Sequence, residues 1–392
     1  MSRALRVVQV GLHVDAEERD AQSLLDAWPT LPAVASATAA AGLHVAVVQA
    51  AHRPAVVERD GVIYYFVDDT RRRPARVFDR VASLAPDVVH VQGLGFPRAT
   101  RPLSRAVPAV PILLQDHGSV VPGGWRKKAW RLAHGPIAGV AFTSSDQAAP
   151  WKRAGVLRAD LPVFEVLESS CDFAPGDRIE ARRAVNMSGD PCLLWTGRLD
   201  ANKDPLTMLA AVEQAAPSLP DLRLYCCFGD APLLSAVEER IAQSAVLAER
   251  VVLLGRRPHD ELETRFRAAD FFVQMSHREG SGYSLIEAMA CGTTPLVTDI
   301  PAMRAIVGDA GSLTPINDAN AYAKAIVTWA ARDRAALRKA TRHRFEQSLT
   351  FETIGRQLRA AYEALVSASP RRAEHTKPRR SGDHAPILEE LR

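Results

Sequence analysis

The sequence predicts an α/β protein built from two doubly wound parallel sheets in tandem. Three observations carry that expectation. The chain has 392 residues, and at about 150 residues per domain that length favours two domains. Short β-branched runs alternate with helical stretches along its whole length, the pattern of parallel strands joined by crossover helices. A polar stretch at 172–190, carrying Pro175, Gly176, Asp177, Ser188, Gly189 and Asp190, divides the alternation into two series.

In the first series, residues 5–10, 45–49, 88–91, 112–114, 138–143 and 163–166 read as strands. They are nearly continuous apolar runs, as expected of strands covered on both faces. Thr30 is placed to cap a helix running through 33–41, which ends at Gly42. The second series has strands at 193–196, 223–228, 251–254, 271–275 and 294–297. Helices follow the first four of these, at about 205–215, 233–245, 262–268 and 284–291. Asp204-Pro205 supplies an N-cap and a proline at the first helical position. Residues 351–366 have helical periodicity. The remainder, 367–392, is rich in Pro, Arg, His and Ser and reads as a disordered tail. Tandem sheets of this kind leave a cleft between their strand C-terminal ends, where such sheets bind ligands.

Composition narrows the class. With 47% hydrophobic and 24% charged residues the chain can bury ample core, which excludes disorder, collagen-like and coiled-coil architectures. The net charge of +4, from 49 basic and 45 acidic residues, is too small and unclustered for a dedicated nucleic-acid binder. Five cysteines without C-x-x-C spacing argue against a disulfide framework and a structural zinc site. No run approaches 18 apolar residues, and the N-terminus reads as a strand, not a signal peptide, so the expected address is the cytoplasm. A single glycine, Gly11, follows the first strand where a nicotinamide-binding fold would carry G-x-G-x-x-G. No cofactor is expected.

The most informative stretch is Ser276-His-Arg-Glu279-Gly-Ser-Gly-Tyr-Ser-Leu-Ile-Glu287-Ala-Met-Ala-Cys-Gly292. It leaves a buried strand, opens as a glycine-containing loop and enters a helix. Backbone amides at 282–284 then lie at the helix's positive end, an anion site. Gly280 and Gly282 let the main chain approach a ligand closely, with Ser281, Tyr283 and Ser284 beside them. Glu279 precedes the helix and Glu287 lies inside it, so they share no helical face. One carboxylate suits sugar hydroxyls and the other a ribose; the bland alternative is two solvated charges near a helix start.

These residues resemble the E-x7-E signature of retaining GT-B glycosyltransferases of the group 1 (family 4) type. Pro295-Leu-Val-Thr-Asp-Ile-Pro-Ala-Met-Arg304 and Val307-Gly-Asp-Ala-Gly311 continue the likeness, and Trp195-Thr-Gly-Arg198-Leu-Asp-Ala-Asn-Lys203-Asp-Pro resembles the family's G-R-L-x-x-x-K segment. The resemblance is densest from 192 to 311. It implies a GT-B fold, with two Rossmann-like domains facing each other across a cleft. Residues 1–175 would form the acceptor-binding domain, 176–348 the nucleotide-sugar-binding domain, and 349–366 a helix crossing back to the first.

The activity implied is transfer of a hexose-type sugar from a nucleotide diphosphate sugar to a hydroxyl acceptor, with retention and without a metal. Negative charge growing on the departing diphosphate must be stabilised where it develops. Asp68-Asp69 and Asp20 make no convincing D-x-D metal motif. Arg198 offers a planar fork for phosphate oxygens and Lys203 a movable point charge, so with the 282–284 amides they can replace a metal. By the same resemblance, His117 matches a histidine that contacts the donor sugar; the competing reading is a structural histidine holding its loop or paired with Asp116. His90 is a second candidate, with a buried structural role as its alternative. Gly255 and Arg256 match the place where backbone meets the nucleobase. Gly11 matches the start of the family's glycine-rich N-terminal loop. The usual G-G-x-G is absent there, a departure in the segment that commonly defines the acceptor. Two other readings stay open: a catalytically silent subunit that binds nucleotide sugar or a partner enzyme, and a nucleotide-sugar epimerase.

One segment stands apart. Gly123-Gly-Trp125-Arg126-Lys127-Lys128-Ala-Trp130-Arg131 interleaves cations with tryptophans. Such a helix either lies on an anionic membrane surface or turns its tryptophans into the core and its cations to water. Arg71-Arg-Arg73 reads as a solvated loop.

Overall fold

The computed structural model describes residues 3–69 and 74–369; Arg71-Arg-Arg73 and residues 370–392 of the expected tail lie outside the described residues. The first sheet has eight strands: β1 Arg6–Gly11, β2 His44–Ala51, β3 Ala55–Arg59, β4 Val62–Asp68, β5 Val88–Gln92, β6 Ile112–Gln115, β7 Gly139–Phe142 and β8 Val163–Glu165. The second has six: β9 Cys192–Thr196, β10 Arg223–Cys227, β11 Val251–Gly255, β12 Phe271–Gln274, β13 Thr294–Thr298 and β14 Ser312–Thr314. Their orders are β3-β4-β2-β1-β5-β6-β7-β8 and β11-β10-β9-β12-β13-β14. All pairings are parallel except β3 with β4. Both sheets are doubly wound: strand order reverses between β1 and β5 in the first and between β9 and β12 in the second, the positions where open α/β sheets take ligands.

Three expectations need correction. The antiparallel hairpin β3–β4 is not among the expected strands: β3 is the edge strand and only half-buried, whereas β4, the apolar run Val62–Val67, lies inside it against β2. Its turn, Asp60-Gly61, has φ of +51° and +73°, the mirror-image hairpin geometry that a D-G pair announces. Thr30 does not cap its helix. The helix Thr30–Ala40 begins at that residue after Pro29, and no side chain caps it. The expected helix at 233–245 is two, Leu234–Ala242 and Ala245–Arg250, because the Ser244 hydroxyl accepts from Leu247 N and starts a new N-terminus.

The basic-aromatic segment forms the helix Gly124–Ala133 with no buried residue. It divides its two tryptophans. Trp130 stacks on Trp151 at 5.9 Å and 28°, whereas Trp125 is 81% exposed.

The helix Phe351–Ala368 ties the halves together. Its residues Ile354, Leu358 and Tyr362 join one apolar cluster with Val7 and Leu113 of the first sheet and Cys192 and Phe272 of the second. The Tyr362 hydroxyl meets His90 Nδ1 at 2.7 Å, so His90 takes the buried role, and burial holds its pKa down to about 3. Gly355 lets this helix lie against Thr30–Ala40: a Cβ there would stand 2.2 Å from Ala37 O, a backbone atom. Gly355→Ala is therefore expected to cost about 1–3 kcal/mol by overpacking, read by chemical denaturation. An unchanged midpoint would mean that this helix does not dock as described.

Candidate active site

The second sheet's switch point builds the site. β9 ends at Thr196 and continues as Gly197-Arg198; β12 ends at Gln274 and continues to Glu279. The two loops are stitched together. His277 N donates to Asn202 O at 2.8 Å, Asn202 Nδ2 donates to Arg278 O at 3.0 Å, and His277 Nε2 lies 3.2 Å from Asp204 Oδ2. Asp204 sits at φ +48° and caps the helix Pro205–Ala215 through Thr207 N, which fixes where Lys203 emerges.

A cavity of about 740 Å³ opens between these loops and the first sheet. Arg198, Lys203, Arg256, Arg257 and Arg278 line it against two carboxylates, Asp230 and Glu279. Lys203 Nζ donates to Glu279 Oε1 at 2.5 Å, and Gln274 Nε2 donates to the same oxygen at 3.1 Å. Arg198 lies 2.9 Å from Asp200 with its side chain 59% exposed, free to swing toward an anion. The helix Tyr283–Ala290 begins at Gly282 (φ +64°) with no side-chain cap and no acidic residue in its first turn. Its amides are thus unneutralised, and Ser284 of that turn lines the cavity.

Residues from the first sheet close the opposite wall. His117 and Gly118, just beyond β6, line the cavity. Asp116 does not pair with His117; its oxygens accept from Gly118 N and Ser119 N. His117 is held instead by Gln92 Oε1 at 2.9 Å and Glu168 Oε2 at 3.2 Å. Neither partner stood out in the sequence. Burial pushes the Glu168 carboxyl up, opposed by the His117 hydrogen bond. Glu168 also touches the other half: a Cβ on Gly280 would lie 2.3 Å from its Oε1 and 2.8 Å from Gly118 N. Gln147 Nε2 donates across the same seam to Glu279 O and Gly280 O, both at 3.0 Å. One feature on the chain hinted at these contacts: Gln147 follows Ser144 at capping-box spacing.

The structure thus gathers Arg198, Lys203, Arg256, Glu279, Gly280, Ser284 and His117 around one cavity. Six other expected residues are not in its lining, among them Gly282 at the start of the helix. Gly11 does not line it; the Gln49 side chain fills the space beside its Cα. Gly255 ends β11 one residue short of it, at φ +70°. Ser281 is buried at the seam, and the Tyr283 hydroxyl hydrogen-bonds Thr30 of the first half. Glu287 is buried behind the wall and accepts from His259 Nε2 at 2.7 Å. That hydrogen bond raises the His259 pKa above its ordinary 6.5, a shift that solvent softens because the ring is 65% exposed. The resulting stability is complete below pH 6.5 and fades as pH rises through the raised folded-state value. An NMR titration of His259 should show this elevation, and Glu287→Gln should abolish it.

Comparison with known proteins completes the picture. Residues 190–332 match the family model described as glycosyl transferases group 1. That stretch is what the chain shares with group 1 glycosyl transferases. The D-inositol 3-phosphate glycosyltransferase of Geodermatophilus obscurus is 32% identical over 211 residues, covering 51% of this chain and 47% of that protein. Its counterpart in Mycolicibacterium smegmatis is 29% identical over 235 residues, with 57% and 52% covered. The chain thus spans about half the length of the curated relatives it matches. Among solved structures, sucrose-phosphate synthase from Thermosynechococcus elongatus superposes with a TM-score of 0.67 at 22% identity, over 93% of this chain and all of that one. Anabaena Alr3699/HepE, in complex with UDP and glucose, gives 0.64 at 15% identity over 92% of this chain and all of that one. The fold shared with these structures is GT-B.

Proposed function

We propose that the chain is a retaining, metal-independent glycosyltransferase that moves a hexose-type sugar from a nucleotide diphosphate sugar to a hydroxyl acceptor. One observation carries the reading: five cations and an uncapped helix end converge on one cavity at a topological switch point, opposite only two carboxylates. That is the charge complement of a diphosphate. The complex of Anabaena Alr3699/HepE with UDP and glucose supports a nucleotide-sugar donor on this fold.

In the reaction, the bond from the anomeric carbon to the diphosphate oxygen breaks and one to the acceptor oxygen forms on the same face. The acceptor's proton passes to the departing diphosphate. Arg198 and Lys203 meet the charge growing on that leaving group, as a metal would elsewhere. His117 and Glu279 take the sugar hydroxyls, Glu279 freed for this when Lys203 turns to phosphate. Residues 1–175 hold the acceptor, 176–348 the nucleotide sugar, and 349–366 the hinge-side brace.

The test is a thermal-shift panel with UDP-glucose, ADP-glucose and GDP-mannose. The right donor at saturating excess raises stability by roughly 2–4 kcal/mol, and silence from every donor tried would sink the donor site. Binding without transfer or hydrolysis would favour a silent subunit instead, and a changed sugar released without any acceptor would favour an epimerase.

A further inference from the structure

A second cavity, of about 710 Å³, lies at the first sheet's own switch point and shares no lining residue with the donor cavity. Its floor is apolar. Leu12 and Val14 follow the end of β1, Phe96 follows β5, and the helix Gly124–Ala133 roofs it with Trp125, Ala129 and Leu132. Those three recur at i, i+4 and i+7, one face of a helix. Trp125 and Leu132 are 81% and 56% exposed, so an apolar rim stands open to solvent.

The rim is cationic. The helices Pro97–Ala106 and Gly124–Ala133 carry Arg98, Arg101, Arg105, Arg126, Lys127, Lys128 and Arg131, all exposed, and no acidic residue. Among the described residues no carboxylate forms an ion pair with any of the seven. A structural surface helix would offset such a row with i, i+4 carboxylates. The two cavities also meet through one short loop: Gln92 ends β5 and holds His117 at the donor cavity, and four residues later Phe96 lines the apolar groove.

We propose that this groove seats an acyl chain of an anionic membrane lipid, whose headgroup hydroxyl is thereby presented to the donor cavity as the acceptor. The inference deepens the transferase reading and rests on it for the word acceptor. Apolar floor, cationic rim and exposed tryptophan match the three zones of such a lipid surface: chain, anionic headgroup and interface.

The test is co-sedimentation of the full chain with vesicles of phosphatidylcholine carrying about 30% phosphatidylglycerol, against phosphatidylcholine alone. Binding is expected only to the anionic vesicles, and weaker as salt rises. Each cation near such a surface is worth roughly a fivefold factor, so Lys127→Gln/Lys128→Gln should lower partitioning about 25-fold. Ala129→Phe, at a position that lines the groove, should fill it, shut out the acyl chain and weaken binding several-fold with every charge retained. Equal binding to both vesicles, or full binding by either variant, overturns the proposal. The donor's thermal shift, measured without vesicles, is expected to be unchanged in both variants. Its absence from the unaltered chain would instead overturn the transferase reading and leave the lipid groove standing.

Discussion

Glu279→Ala and Lys203→Ala are each expected to lower kcat/KM by about 10²–10³, the scale seen when one preorganised charge-stabilising contact is removed from an enclosed site. The structure adds a sharper expectation. The two side chains are bonded to each other at 2.5 Å and are only 12% and 14% exposed, so neither acts alone. Removing both should cost little more than removing one, the non-additivity of residues that work as a unit. The two singles should also differ in kind. Without Glu279, Lys203 has no counter-charge but the incoming diphosphate, so the donor KM holds or falls while kcat collapses. Without Lys203, the donor KM rises too. Steady-state kinetics on the four members of the cycle, with unfolding midpoints alongside, check this. Additive losses, or full activity in both singles, would remove the pair from the chemistry.

Much of this pair was legible in the sequence. A strand, a glycine-bearing loop and a helix, with Glu279 before the helix and Arg198 and Lys203 beyond a neighbouring strand, can be read from local order, because switch-point geometry brings those loops together whatever the loop details. In the β3–β4 hairpin only β3 hid for a physical reason, being a half-buried edge strand with a polar end; β4 is an apolar run bounded by Asp60-Gly61, and the signal was there to read. What hid entirely were contacts between elements distant along the chain. Glu168 and Gln92 orient His117 from separate elements, 51 and 25 residues away along the chain, and neither carries a local signature of that task. Tyr283 and Glu287 are the reverse case. Sequence proximity to the phosphate-facing turn suggested ligand contact, but helical rotation aims one at Thr30 and the other at His259.

Gly280→Ala should cost roughly 100-fold in kcat while leaving the donor's affinity within a few-fold. Gly280 faces Gly118 across the seam, and an added Cβ would meet Gly118 N at 2.8 Å and Glu168 Oε1 at 2.3 Å. A carboxylate can swing aside, but a backbone amide cannot, so the halves must part by some tenths of an ångström where the proposed reaction has His117 meet the donor sugar. Misplacement approaching 1 Å at a reacting centre is worth about two orders of magnitude. Donor binding, centred on Arg198, Lys203 and the helix end of the second half, is spared. Glu168→Asp shortens the carboxylate and removes only the softer of the two clashes, so adding it to Gly280→Ala should restore little. If Gly280→Ala turned over normally, or if Glu168→Asp rescued it fully, the close approach of Gly118 and Gly280 would not belong to the arrangement in which transfer occurs.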